Sequence, residues 1–428
     1  MFNQGYMWLV NYLQLSSAIT VLSILALASL SIYNWSKHES FQYDSQIQPL
    51  PMSLVLPTWN EELVIKSKLE GIIGQNYPPN LLEIIVIDAG SSDRTLDIVS
   101  SWKNSLDIGN CPSVRIIKEN TRLGKSVSIN RAFSEARSES DILMMSDVDC
   151  RLSKDTLLNI GRIFHDKTIG AVTARQILIN PDVSSSSEIE TNYRDFYSKM
   201  RIAESLLDST PIFHGECSAY RREAIREHRL IENANADDSQ MAVAARISGF
   251  RSIYVPSLTF LEAAPPNYQS SNIQKIRRAQ GLSRHFWRNK KHIFNNKMGN
   301  FRKILALEFS LHILLPWAVF LGFMFGFIHI GNLAYNGVYS IEIFYELPII
   351  EQLLLFSDIM VILLLFLGRL GISAPLAKTS FTFFQYMVVL LKSHALILSG
   401  NSLHLWQQVP LVRESLNDFD NKNIEHDS

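Results

Sequence analysis

The ten residues Asp141–Cys150, DILMMSDVDC, decide the fold of this chain. A short, continuous apolar run of this kind is typical of a strand that is buried on both faces of a parallel sheet. Two acids, Asp147 and Asp149, follow the run at once. Because alternate residues of an extended segment share one face, both carboxylates are expected to project together from the strand end. Carboxylate oxygens so placed suit a divalent metal ion.

The residues around this stretch repeat the pattern of strand and helix. Three further apolar runs read as strands: Ser53–Leu56, Glu83–Asp88 and Val114–Lys118. Amphipathic stretches at Glu61–Gly74, Asp93–Trp102 and Lys125–Glu135 alternate with them and read as helices. This alternation predicts an α/β fold, a mainly parallel sheet with helices on both faces. Ligands bind such sheets at the carboxyl ends of the strands, where Asp88 and Asp147 lie.

Composition excludes several classes of protein. The 428 residues carry a net charge of −1, which gives no sign of a nucleic-acid partner. Three scattered cysteines make a disulfide framework or a structural zinc site a poor interpretation. Charge is unevenly placed, because Lys275–Lys303 holds ten Lys or Arg residues and no Asp or Glu, and Ile304–Gly368 holds no Lys or Arg.

Hydrophobic segments flank the α/β stretch. Leu15–Tyr33, Phe309–Ile330 and Ile349–Leu367 are each long enough to cross a hydrocarbon layer of about 30 Å. A fourth segment, Ser380–Ser399, is interrupted by Lys392 and either crosses the membrane or lies at its surface.

Three regions follow from these segments. We expect an N-terminal anchor over residues 1–45, a catalytic domain over 46–300 with a basic interface segment at 270–303, and a membrane domain with a polar tail over 304–428. The basic segment predicts that the catalytic domain is cytoplasmic and that loop 331–348 faces outward. Membrane lipids are therefore expected partners, whereas the side of the C-terminus and the oligomeric state stay open.

The residues at the strand ends form a specific combination. Pro57–Glu62 (PTWNEE) follows the first strand, Asp88–Asp93 (DAGSSD) the second, and Leu123-Gly124-Lys125 opens the third helix. Together with Asp147-Val148-Asp149, they resemble the inverting glycosyltransferases of family 2. The resemblance is to the membrane-embedded branch with the GT-A fold that includes cellulose, hyaluronan and chitin-type synthases. It covers roughly Ser53 to Gly281.

This resemblance implies a site for a nucleotide-sugar donor and a Mg²⁺ or Mn²⁺ cofactor. Asp149 would be the main metal ligand, with Asp147 between ribose and metal. Asp88 would contact the base or ribose, and Gly90 would let the backbone approach the ligand. The other predicted donor residues are Thr58 and Glu61, on the opposite side of the pocket, and Lys125, which is either a phosphate contact or a surface lysine.

The pair Asp237-Asp238 stands where the family has Glu-Asp. Inverting transfer needs a base that takes the proton of the acceptor hydroxyl. The resemblance gives this role to Asp238, with Asp237 orienting or tuning it. Two acids at a helix N-terminus are also favoured by the helix dipole alone, which is the alternative interpretation.

Two segments are predicted to bind the acceptor. His214-Gly215-Glu216 matches the acceptor-side segment of the family, and Gln274, Arg277 and Arg278 match its Gln-x-x-Arg-Trp motif. Arg278 replaces the tryptophan on which processive synthases stack the acceptor sugar. This departure puts processive polymerisation in doubt and favours an anionic acceptor.

The sequence thus predicts a membrane-bound inverting glycosyltransferase that uses a lipid-linked or growing glycan as acceptor, as in polysaccharide biosynthesis. Three alternatives stay open: a non-processive transferase onto polyprenyl phosphate, a nucleotidyltransferase, and an inactive membrane-tethered assembly protein. Four acids in the expected order, Asp88, Asp147, Asp149 and Asp238, argue against the inactive protein.

Overall fold

A computed structural model describes residues 4–107, 109–179, 187–232, 234–264, 268–336, 345–372, 374–403 and 410–427. Its described strands are β1 Met52–Thr58, β2 Leu82–Asp88, β3 Ser113–Lys118, β4 Ile142–Met145, β5 Cys150–Leu152, β6 Ile169–Leu178, β7 Ser218–Arg221 and β8 Arg251–Glu262. They form a single sheet in the order β3-β2-β1-β4-β7-β6-β8-β5.

The sheet is mixed and mostly parallel. Strands β1 to β4 run parallel to one another, and so do β6 and β8. Strand β7 is antiparallel to both of its neighbours, and β5 is antiparallel to β8. The predicted α/β fold is confirmed, and all four predicted strands are present as β1 to β4. Strands β5, β6 and β7 were not assigned from the sequence.

The described helices are α1 Gln4–Trp35, α2 Ile65–Ile73, α3 Thr95–Asn104, α4 Lys125–Glu135, α5 Thr156–Ile163, α6 Ser187–Leu207, α7 Arg222–Ile225, α8 Asp237–Ile247, α9 Tyr268–Asn289, α10 Phe301–Phe309, α11 Leu315–Tyr335, α12 Ile349–Arg369, α13 Pro375–Leu398 and α14 Pro410–Asp427. The predicted helix at Glu61–Gly74 begins only at Ile65, because the chain turns at Asn60, whose φ is 55°.

Alternate residues of the central strands supply two cores, one on each face of the sheet. Leu54 and Ile84 pack with Leu69 of α2 on one face. Their neighbours in sequence, Val55 and Ile85, pack with Ile129 of α4 on the other. Burial on both faces explains why these strands are continuous apolar runs. The loops after the strands are thereby fixed at one edge of a rigid sheet.

Within the described part of the chain, four apolar helices are long and hydrophobic enough to cross a membrane: Tyr6–Trp35, Phe301–Tyr335, Ile349–Arg369 and Pro375–Leu398. They correspond to the four predicted segments. The second is continuous from α10 to α11 through a π-helical turn at Ser310–Leu314. Of the predicted outer loop, residues 337–344 lie outside the described residues.

Helix α14 packs against the α/β domain. Its Leu416 is fully buried in the same core as Leu54 and Leu69. The C-terminal helix is therefore part of the packing of the α/β domain, although it is far from that domain in the sequence.

Candidate active site

A cavity of about 230 Å³ opens at the carboxyl edge of the sheet. The end of β1, the start of α4, the turn after β4, the start of α8 and one side of α9 contribute to its wall. Ten of the predicted site residues line it: Thr58, Lys125, Asp147, His214, Gly215, Glu216, Asp237, Asp238, Arg277 and Arg278. Residues predicted from distant motifs thus meet at one place.

Five predicted residues do not line this cavity: Glu61, Asp88, Gly90, Asp149 and Gln274. The Asp88 carboxylate is fully buried and accepts hydrogen bonds from the amides of Gly90 and Ser91, at 3.1 and 2.9 Å. Asp88 therefore shapes its own turn, in which Gly90 has a φ of 75°. Thr58 Oγ1 lies 3.5 Å from Asp88 and joins this turn to the cavity rim.

Lys125 links two of the predicted acids. Its Nζ lies 2.6 Å from Asp147 Oδ1 and 3.4 Å from Asp237 Oδ2. Gly124, whose φ is 107°, turns the chain into α4 and aims Lys125 at the cavity. Burial tends to raise the pKa of Asp147, but the Lys125 ammonium outweighs burial and lowers the pKa below its ordinary value. Asp147 is therefore held ionised, with the Lys125 ammonium beside it in the cavity wall.

Asp238 differs from Asp147 in its charge state. Burial, reinforced by the neighbouring Asp237, raises the pKa of Asp238 to about 7. Its Oδ1 accepts a hydrogen bond of 2.7 Å from the Ser239 amide, which fixes the carboxylate at the start of α8. A carboxylate that titrates near neutral pH is suited to proton transfer. Asp147 and Asp238, which line the same cavity, thus have different chemical capacities.

A strained backbone precedes this acid pair. Ala236 adopts a left-handed conformation with φ 60°, which is costly for a residue with a side chain. Helix α9 packs tightly against this loop at Gly281, where an added Cβ would lie 2.8 Å from the Cβ of Asn235. The position of Asp237 and Asp238 therefore depends on the packing of α9, which the sequence did not indicate.

Arg278 is held by carboxylates. Its Nη2 lies 2.9 Å from Glu216 Oε1 and 3.7 Å from Glu262 Oε1. Burial raises the pKa of Glu216 above its ordinary value, although Arg278 partly opposes this shift. The arginine that replaces the expected tryptophan therefore belongs to an ion-pair network at the cavity wall.

Arg277, by contrast, has no carboxylate within ion-pairing distance among the described residues. Burial and the charge of Arg278 lower the pKa of Arg277. An anion in the cavity would offset both effects. Gln274 lies one helical turn earlier on α9, outside the cavity wall.

Three residues near the site were missed by sequence reasoning. Arg201 lines the cavity and contacts His214 Nε2 through Nη1. Lys68, buried beneath the acidic turn, donates to Ser146 Oγ at 2.8 Å and to the Cys150 carbonyl at 3.1 Å. Arg413 of α14 pairs with Glu61 and Asp149, both at 3.0 Å. Each comes from a segment without a motif, so local sequence carried no signal for them.

The acids fit a divalent ion only in part. Among the residues that the structure describes, no three His, Cys, Asp or Glu side chains are grouped so that they could hold a metal. Asp147 and Asp149 nevertheless offer hard oxygen ligands of the type that Mg²⁺ and Mn²⁺ prefer. Mg²⁺ is commonly bound by one or two carboxylates together with substrate phosphates. The pair therefore suits an ion that is completed by a diphosphate.

Comparisons with known proteins show the family of this chain. The chain matches the profile "Glycosyl transferase family 2" over residues 53–229 and the profile "Glycosyl transferase family group 2" over residues 142–391. The probable glycosyltransferase YdaM of Bacillus subtilis (strain 168) is 24% identical over 357 residues, which are 82% of this chain and 80% of YdaM. Hyaluronan synthase of Streptococcus pyogenes is 25% identical over 177 residues, 41% of each chain.

One solved structure resembles nearly the whole chain. It is the mannosyltransferase PcManGT from Pyrobaculum calidifontis, in complex with GDP-Man and Mn²⁺. The two share 26% sequence identity and a TM-score of 0.72, over 91% of this chain and 99% of PcManGT. The likeness extends beyond the sheet to the segments on either side of it.

Proposed function

Since the chain belongs to the family 2 glycosyltransferases, we propose that it moves a sugar from a nucleotide-sugar donor, with inversion, to a lipid-linked or growing glycan at the membrane surface. The observation that carries this proposal is the meeting of two acids in one cavity. Asp147 is held ionised beside Lys125, and Asp238 has its pKa raised to about 7. One acid suits the donor phosphates and the other suits the acceptor hydroxyl.

The reaction follows from these positions. The acceptor hydroxyl gives its proton to Asp238 as its oxygen forms a bond to the anomeric carbon. The bond from that carbon to the phosphate oxygen breaks, and the nucleoside diphosphate leaves with the bonding electrons. Lys125 and Arg277 lie in the cavity wall, where they neutralise the leaving charge.

A Mg²⁺ or Mn²⁺ ion held by Asp147 and Asp149 would act as Lewis acid on the leaving diphosphate. PcManGT, which resembles this chain most of the way along its length, is described with GDP-Man and Mn²⁺. That finding supports the proposed metal, and it leaves the choice between the two ions to experiment.

A second acceptor class, polyprenyl phosphate, is favoured by Arg277. This cation lines the cavity, its pKa is lowered by burial, and no described carboxylate pairs with it. A phosphate acceptor would supply the missing counter-charge. Arg278, in comparison, is already paired with Glu216.

We propose that the catalytic domain is cytoplasmic. The basic run before α10 supports this orientation. Because α14 packs on the catalytic domain, the chain between them must cross the membrane an even number of times. Three helices between them, α11, α12 and α13, are candidates, so at least one of them does not cross completely.

Contacts favour α11 and α13 as the crossing pair. Phe323 of α11 contacts Phe384 of α13, and Trp317 stacks on His394, so the two helices are antiparallel. The end of α13 reaches the catalytic side, where Gln280 of α9 donates to the Asn401 carbonyl at 2.8 Å. On this proposal α12 begins and ends on the outer side.

The proposed function is tested by release of nucleoside diphosphate from a panel of UDP- and GDP-sugars, with the protein in nanodiscs. Polyprenyl phosphate and neutral oligosaccharides are offered as acceptors in parallel. We expect acceptor-dependent release with one donor, and products whose anomeric configuration is inverted. Retained configuration, or no release with any donor and acceptor, would contradict the proposal. Asp238→Asn serves as the matched inactive control.

A further inference from the structure

Helix α14 docks directly on the turn that carries Asp147 and Asp149. Val412, Arg413 and Leu416 face the catalytic domain, and each is at most 4% exposed. Leu416 packs into the core on one face of the sheet. The helix is thus an integral part of the domain surface beside the cavity.

Arg413 supplies the cation that neutralises Asp149. Its Nη2 lies 3.0 Å from Asp149 Oδ2 and 3.0 Å from Glu61 Oε1, and its Nε lies 3.2 Å from Glu61 Oε2. The side chains of Arg413, Glu61 and Asp149 are 5%, 1% and 13% exposed. Two of the contacts bind Arg413 to Glu61, and a single contact binds it to Asp149.

A second ion pair holds the same helix. Asp420 Oδ2 lies 2.7 Å from Nη2 of Arg151, two residues beyond Asp149. Asp420 and Arg413 are seven residues apart, about two helical turns, and therefore share one face of α14. Arg413 and Asp420 of α14 therefore form ion pairs with the two ends of the segment from Asp149 to Arg151.

We infer that Arg413 is a positioning residue that competes with a divalent cation for Asp149, so that docking of α14 sets the metal affinity of the donor site. Asp147 lines the cavity, whereas Asp149, drawn towards Arg413, does not. A metal ion shared by both acids needs Asp149 to turn away from Arg413. When Asp149 turns to the metal ion, Arg413 keeps its two contacts with Glu61 and loses only its contact with Asp149.

The competition is reciprocal. If a docked α14 weakens metal binding, then bound metal must weaken the docking of α14 by the same factor. The inference rests on the proposed metal-assisted transfer, but it concerns metal binding alone and can fail independently of sugar transfer.

The test measures Mn²⁺ binding to the full-length protein in detergent, with and without GDP or UDP, by the electron paramagnetic resonance of free Mn²⁺. Arg413→Gln removes the competing positive charge, and we expect the Kd for Mn²⁺ to fall about tenfold. A unit charge a few ångströms from a bound divalent ion changes the affinity for that ion by at least this factor. Asp420→Asn loosens α14 without touching the acids, and should lower the Kd about threefold by the same coupling.

Two further variants calibrate the result. Glu414→Gln changes an exposed acid on the same helix, and should bind Mn²⁺ like the unaltered protein. Asp149→Ala should weaken binding sharply. In the unaltered protein, Mn²⁺ with nucleotide should speed hydrogen exchange of α14.

Unchanged or weaker Mn²⁺ binding by Arg413→Gln would overturn the inference and make Arg413 a fixed structural counter-ion. Full-strength binding by Asp149→Ala would also overturn it, because the metal would then lie elsewhere. If Arg413→Gln does not fold, Asp420→Asn decides the question: a folded protein with tighter Mn²⁺ binding supports the competition, and one with unaltered binding refutes it.

Discussion

Removing the carboxylate of Asp238 gives the sharpest test of the proposed chemistry. Asp238→Asn keeps the shape of the side chain and its contact with the Ser239 amide but removes the base. Donor binding should stay near that of the unaltered protein, whereas turnover should fall by ~10²–10⁴, the usual contribution of a positioned base. Kinetics with the best donor, with donor affinity measured separately by calorimetry, distinguishes the two effects.

The pH dependence sharpens this test. Since burial and Asp237 raise the pKa of Asp238 to about 7, kcat/KM should rise with pH through about 7 and level off above it. Asp237→Asn removes the neighbouring negative charge, so the rise of kcat/KM should occur at lower pH. In Asp238→Asn, the residual kcat/KM should no longer rise with pH near 7.

Asp238→Asn should be more stable than the unaltered protein above neutral pH, although it is less active. A carboxyl with a raised pKa stabilises the folded state only while it is protonated, so its contribution is lost as pH rises from 3.8 to about 7. The full shift corresponds to at most ~4 kcal/mol. We expect Asp238→Asn to be more stable than the unaltered protein at pH 8 by about half of that, because the carboxylate faces an open cavity. The role of Asp238 as base would be refuted if kcat/KM of the unaltered protein did not change with pH near 7. It would also be refuted if Asp238→Asn lost donor affinity and turnover equally.

Three further predictions concern the acceptor side, the loop of the base and the topology. Arg277→Gln should weaken use of an anionic acceptor, and Arg277→Lys should have an intermediate effect of ~1–3 kcal/mol, because lysine keeps the charge but loses the planar geometry. Identical acceptor preference in all three proteins would make Arg277 a structural residue. Gly281→Ala should lower turnover by about tenfold or more, because its Cβ displaces the loop of Asp237 and Asp238. Gly71→Ala, where no atom lies within 4 Å of the new Cβ, is its control, and equal activity of the two would show that the loop tolerates the displacement. In a background without native cysteines, an impermeant thiol reagent applied to intact cells should label Asn336→Cys and Leu370→Cys but not Lys290→Cys. Labelling at position 290 would reverse the proposed orientation. Protection at position 370 would indicate that α12 crosses the membrane.

The central parallel strands were accessible from the sequence because burial on both faces leaves a continuous apolar run. The acids at their ends were predictable for the same reason, since a strand that ends two residues before Asp147 places this acid at a known edge of the sheet. The start of α4 at Lys125 was also predicted correctly. These features depend on residues close together in the chain.

The electrostatic partners of those acids depended on the tertiary structure. Arg413 and Glu61 are separated by 352 residues, and the helical pattern around Arg413 gives no indication of the surface on which α14 packs. Periodicity reports which face of an element is buried, but not what buries it.

The charge states of the site were decided in the same way. By itself, the sequence determined the parallel strands β1 to β4, the order of the acids that follow them and the apolar helices on either side. Only the tertiary structure decided that Asp147 faces Lys125, that Asp149 faces Arg413, and that the pair Asp237-Asp238 follows a strained turn packed against α9. The physical reason is that a pKa depends on burial and on charges a few ångströms away, and both are set by contacts between distant parts of the chain.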